Sequence, residues 1–182
     1  TGCTKGEAGR NDSTSSTTAS STASSNVACA ANNGGIKLPT GFCATVFADT
    51  VGHARHIVVA SNGDVYVNTW SGDYFNTPAP HGGFIVALRD TNKDGIADIT
   101  RRIGPDSLHG SGGGTGIALY KGYVYAEQFG PGSAKIVRYQ ISPDSLGTTA
   151  AAAETIVTGL PTTGDHPMHP FVIGQSGDLY VD

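Results

Sequence analysis

One pattern, repeated three times, constrains this chain more than any other feature. Each copy is a short apolar run, a tight turn holding glycine, and a second apolar run. The first copy covers 55–67 (RHIVVASNGDVYV), the second 115–125 (TGIALYKGYVY) and the third 171–181 (FVIGQSGDLYV). Their turn glycines, Gly63, Gly122 and Gly177, lie 59 and then 55 residues apart. Glycine tolerates the positive backbone angles that tight hairpin turns require, so each copy predicts a β-hairpin. Repeats of roughly 40–50 residues with about four strands each are the mark of β-propeller blades. The slightly longer period here predicts inserted loops. Sustained 3.6-residue periodicity is absent. The expected fold is all-β, about three blades of an incomplete β-propeller, because closure takes at least about four.

Composition narrows the function classes. The 182 residues include 26 glycines and 9 prolines, as suits a turn-dense β fold. Only 14% are charged, the net charge is −4, and no basic cluster exists, which sets aside non-specific nucleic-acid binding. No apolar run approaches the ~18–20 residues of a membrane-spanning helix. Residues 1–34 differ from the rest. Thr1-Gly2-Cys3 followed by the Ser/Thr/Ala tract from Ser13 to Ser25 resembles the processing site and tether of a bacterial lipoprotein. Cys3 would then carry a lipid, the tether would be disordered, and residues 35–182 would form the propeller part. The expected location is extracytoplasmic, periplasmic or cell-surface, with membrane contact only through Cys3. Cys29 and Cys43 either bridge or stand as two buried thiols. The exported context favours a bridge, and a loop of ~15 residues closed this way contributes about 3 kcal/mol in the chain-entropy model.

Between the hairpins, alternation predicts a strand from Phe42 to Phe47 and others at Phe84–Leu88 and Lys135–Ile141, the last as the outer strand of the second unit. Thr69–His81 reads as a loop, and Ala150–Ala153 as at most one helical turn. Gly110–Gly116 has neither a Walker lysine nor a following helix, so it reads as a flexible connection between blades.

Three groups of residues carry candidate chemistry. In Asp90-Thr91-Asn92-Lys93-Asp94-Gly95-Ile96-Ala97-Asp98, oxygen-bearing side chains fall at Asp90, Asn92, Asp94 and Asp98, with glycine at the sixth position. These, with the carbonyl of Ile96, are the donors a hard cation such as Ca²⁺ takes. Position twelve is Arg101 instead of the EF-hand glutamate, so the expectation is a structural calcium loop. The alternative is a solvated Asp/Asn/Gly turn. His53/His56 and His166/His169 offer two pairs three residues apart. Side chains three apart on a strand point to opposite faces and no third ligand is placed, which argues against zinc. His166, in a proline-flanked loop beside Asp165 and ahead of the third hairpin, is the better catalytic candidate, because an imidazole accepts a proton at neutral pH. No serine stands in a Gly-x-Ser-x-Gly elbow, so hydrolase chemistry has no support.

Leu38-Pro39-Thr40-Gly41-Phe42, Ala54-Arg55-His56, Ala87-Leu88-Arg89-Asp90, Gly114-Thr115-Gly116-Ile117-Ala118-Leu119-Tyr120 and Gly159-Leu160-Pro161…His166…Gly177-Asp178-Leu179-Tyr180-Val181 together resemble the glucose/sorbosone dehydrogenase family, most closely its sorbosone dehydrogenase branch. The resemblance runs from Ile36 to Asp182. It implies a six-bladed propeller of which this chain is about half, and an exported quinoprotein that oxidises an aldose or sorbosone-like sugar with pyrroloquinoline quinone (PQQ) and calcium. A cytochrome or quinone would then be the final electron acceptor. The family's catalytic histidine falls on His166 and its acidic neighbour on Asp165. Arg55 would face the central axis as a partner for the tricarboxylate cofactor; the alternative is a surface or core-edge arginine. The family's other quinone-holding cations come largely from later blades, and its histidine-orienting acid falls just past Asp182. The rival expectation is a non-catalytic, calcium-stabilised propeller that binds a glycan or a protein.

Overall fold

The computed structural model describes residues 29–70, 82–106, 112–130, 132–142, 144–146 and 153–182. Cys3, the Ser/Thr tether, residues 71–81, Gly110, Ser111 and the alanines at 150–152 lie outside the described residues, and Thr69 and Trp70, expected to begin a loop, instead end a strand.

The described chain is all-β, in three antiparallel sheets, none of them closed. The first sheet holds β1 (His53–Val59), β2 (Val65–Trp70), β3 (Gly83–Arg89) and β4 (Ile99–Asp106) in sequential order. The second repeats this arrangement with β5 (Gly112–Tyr120), β6 (Tyr123–Gly130), β7 (Ser133–Gln140) and β8 (Glu154–Leu160). The third is the hairpin of β9 (Phe171–Ile173) and β10 (Leu179–Val181). All three predicted hairpins are present, and Gly63, Gly122 and Gly177 all take positive φ at their turns, at 92°, 79° and 100°. The first strands of the sheets are neighbours, since β5 packs against β1 and β2 on one side and β9 on the other.

The main core lies between the first two sheets. Tyr66, Phe84, Ile85 and Ile103 meet Ile117, Val124, Val137 and Tyr139 there, all buried. A second cluster, Val67, Val86 and Leu88, is covered by Phe47 and Ala97. Phe171 packs with Tyr125 and Ile136, which joins the third sheet to the second. The predicted Cys29–Cys43 disulfide is formed, with the two Cα atoms 5.5 Å apart.

Three expectations need correction. Phe42–Phe47 is not a strand: it runs as an irregular arm, with Phe42 exposed and the Phe47 carbonyl accepting one bond from Ala97 N–H. Alternation alone does not supply a sheet edge to pair with. The strand expected at Lys135–Ile141 is β7 (Ser133–Gln140), the third strand of its sheet, and β8 lies outside it. Gly112–Gly116 is not a flexible connection but the start of β5, with its glycines buried and a register shift between Gly113 and Ile117. A Cβ at Gly113 would overlap the Asn68 amide, one at Gly114 the Glu127 carboxylate, and one at Gly116 the Phe171 ring. Glycine is there because neighbours occupy the space a side chain would need.

At the first hairpin turn, Asp64 is buried and receives Arg89 Nε at 2.6 Å and Nη2 at 2.7 Å, with Asn62 Nδ2 at 2.8 Å. The Arg89 bonds hold the Asp64 carboxyl below its ordinary value, against the opposing effect of burial.

Two predictions follow from this packing. Gly113→Ala should destabilise the fold by about 1–3 kcal/mol or more, through overpacking. Gly130→Ala, where a Cβ meets nothing closer than 3.7 Å, should stay within about 0.5 kcal/mol in the same denaturant melts. Because its pKa is lowered on folding, Asp64 stabilises the fold fully above 3.8, the ordinary aspartate value, and this stabilisation is lost as pH falls through the lower folded value. Asp64→Asn should therefore cost about 1.5–3 kcal/mol near neutrality. It should also flatten the acid limb of a stability–pH curve.

Candidate functional site

The site sits in the loop between β8 and β9. Pro161, Pro167 and Pro170 punctuate it, removing N–H donors and fixing φ, so the segment cannot extend either strand. His166 is 88% exposed at its side chain, with Nδ1 3.8 Å from the equally open Asp165. Three residues on, His169 is buried, and its side chain is 11% exposed. Both histidines line one cleft of about 550 Å³, with Leu160, Thr163, Met168 and Asp182. The expectation that residues three apart point to opposite faces does not apply here, because this stretch is loop and not strand.

Beneath the cleft lies a group that sequence reasoning missed. Glu127, on β6, has no exposed surface. Its Oε1 accepts the backbone N–H of His169 at 3.0 Å and lies 3.0 Å from His169 Nδ1. Its Oε2 accepts from Thr115 N–H at 2.7 Å and Gly116 N–H at 3.4 Å. One carboxylate thus joins the bulged start of β5 to the loop that carries both histidines. The glycines make this possible, since Gly114 leaves the room the carboxylate fills. From the first sheet, Asn68 on β2 donates Nδ2 to the Gly116 carbonyl at 2.8 Å and the Glu127 carbonyl at 3.1 Å. Among the described residues the Asn68 Oδ1 is buried without a partner. Nothing in the sequence around Glu127 marks it, because its partners are 11 to 42 residues away.

Arg55 does not line this cleft. It is exposed on β1, with its guanidinium carbon 5.9 Å from the Trp70 ring centroid, a cation–π placement. His53, on the same strand, places Nδ1 3.0 Å from the Trp70 carbonyl, an interaction within the first sheet.

The Asp90–Asp98 loop joins β3 to β4. Asp90 Oδ1 accepts from Lys93 N–H at 2.6 Å, and its Oδ2 from Gly95 N–H at 2.8 Å. Asn92 Oδ1 accepts from Asp94 N–H, and Asp94 Oδ1 from Ile96 N–H. Asp98 Oδ2 accepts from the hydroxyl and N–H of Thr91, both at 2.7 Å, and these bonds lower its carboxyl pKa. Asp98 Oδ2 and Asp90 Oδ1 each take two donors, so the loop is held by its own turns, and its carboxylate and amide oxygens are of the type a hard cation takes. Among the described residues, however, no three His, Cys, Asp or Glu side chains converge on a metal position.

Comparison of this chain with known protein families, with curated proteins and with solved structures finds no match in any of the three.

Proposed function

We propose that this chain is part of a sugar-oxidising quinoprotein of the glucose/sorbosone dehydrogenase type, with its sheets as successive propeller blades and His166 as general base. The observation that carries the reading is the proline-bounded loop ahead of the third hairpin, which brings two imidazoles to one cleft over a buried carboxylate. Imidazole is the side chain that most often serves as a general base, and the Asp165 carboxylate lies 3.8 Å from His166 Nδ1.

The propeller assignment is supported by the adjacency of β1, β5 and β9. Exposed apolar side chains support it too: Ile57 and Val59 on β1 at 55% and 60%, and Val172 and Tyr180 on β9 and β10 at 64% and 62%. Such faces are covered where another blade packs against them. The disulfide supports an extracytoplasmic location, since such bonds persist in oxidising compartments.

PQQ, a tricarboxylate, would supply the electron sink. The described residues do not fit it by themselves. Those that line the cleft include no Lys or Arg, and Arg55 stands apart over Trp70. The chain's own contribution is therefore the proton acceptor and the scaffold beneath it. Calcium at Asp90–Asp98 belongs to the proposal on donor type and spacing, with the side chains re-aiming from the loop amides to the ion.

A second reading, a non-catalytic propeller that binds a glycan or a protein, is favoured by the 88% exposure of the His166 side chain, since catalytic bases work best where water is excluded.

Dye reduction by the full-length protein with PQQ, Ca²⁺ and an aldose panel tests the enzyme. Turnover should fall about 10²–10⁴-fold in His166→Ala. A folded protein that binds no quinone would overturn the dehydrogenase and leave the binding propeller. Calcium is tested by thermal melting: saturating Ca²⁺ at about 100 times its dissociation constant should add about 2.7 kcal/mol. Asp94→Ala should abolish the rise, and an unshifted parent melt would remove calcium from the reading.

A further inference from the structure

Among the described residues Glu127 bonds to His169 and not to His166, the residue assigned the base chemistry. The Glu127 carboxylate receives hydrogen bonds from three backbone N–H groups and from no Lys or Arg among the described residues. The His169 imidazole supplies its fourth contact, at Nδ1. An oxygen already facing donors accepts from Nδ1 as well, so Nδ1 carries its hydrogen. In the neutral ring this leaves the lone pair on Nε2. That nitrogen bonds to no described residue, yet it is not a buried unpartnered atom; among the described residues that state belongs to Asn68 Oδ1. The His169 side chain keeps 11% of its surface exposed, and the residue lines the cleft.

The cleft itself is rich in acceptors. His166, Asp182 and Thr163 line it beside His169, and no described Lys or Arg does. Such a lining repels carboxylates and phosphates and matches a ligand covered in O–H donors. We propose that His169, fixed by Glu127 as the Nδ1–H tautomer, accepts a hydroxyl of a polyhydroxylated ligand at Nε2. His169 is then a ligand-contacting residue and Glu127 a positioning residue. The carbohydrate class of the ligand rests on the proposed function, but the tautomer and the contact require neither quinone nor turnover.

Imidazole nitrogen spectra of the full-length protein, recorded with the rings neutral, test this directly. His169 should appear as the Nδ1–H tautomer in the parent, and Glu127→Gln should erase that preference. Titration with D-glucose and D-mannitol should shift the His169 Nε2 signal. His169→Asn replaces Nδ1 with an amide N–H able to reach Glu127 but removes Nε2. It should melt close to the parent while binding the responding polyol about tenfold more weakly. An Nε2–H tautomer in the parent, an unmoved His169 signal with both polyols, or parent-like binding by His169→Asn would each overturn the inference. If His169→Asn fails to fold, the parent tautomer and polyol shifts decide alone. Turnover lost in His166→Ala beside an unresponsive His169 would leave the proposed function standing and sink this one. A responsive His169 with no quinone binding would do the reverse.

Discussion

The buried carboxylate of Glu127 is the interaction on which the arrangement of this protein depends. It sits on the second sheet, reaches the loop leading to the third, and its backbone carbonyl takes the Asn68 amide from the first. A carboxylate without exposed surface is costly unless donors surround it, and here Thr115, Gly116 and His169 do so. Apolar packing brings the sheets together without specifying their register. The carboxylate does specify it, because its donors come from two separate segments and must arrive together.

Asn68 extends the same logic at some expense. Its Nδ2 serves two carbonyls, which leaves Oδ1 facing the Gly113 backbone without a donor among the described residues. An unsatisfied buried oxygen costs about 1–3 kcal/mol. The compensation is a polar bond across an interface otherwise made of Tyr66, Ile85, Ile117 and Val137. Polar and apolar contacts thus divide the work: the apolar core supplies driving force, and the Asn68–Glu127–His169 chain supplies alignment.

The hairpins were legible in the sequence because a hairpin is local: a turn glycine and two short apolar runs are enough. The fourth strands were not. Among the residues of β4 whose burial is described only Ile103 is buried, and Gly104-Pro105 interrupts the run, while β8 buries none of its residues fully. Each becomes a strand by pairing with β3 or β7, which its own pattern does not announce. Gly112–Gly116 misled in the opposite direction, since a run of glycines reads as slack where in fact the neighbours leave no space. The loop histidines were found by their residue type. The acid that holds one of them was not, because 42 residues separate Glu127 from His169 and only the packed sheets bring them together. Asp165 was singled out by proximity in sequence, yet it is open to solvent and 3.8 Å from its histidine.

The tight fit between Gly114 and the Glu127 carboxylate also has an evolutionary consequence. Neither position can drift alone. A larger residue at 114 evicts the carboxylate, and a shorter acid at 127 opens a void beneath the β5 bulge. The two sites should change as a pair, or with the histidine at 169 as a trio, across descendants of this sequence. That covariation would be visible in an alignment of sequences alone, before any of them had been expressed.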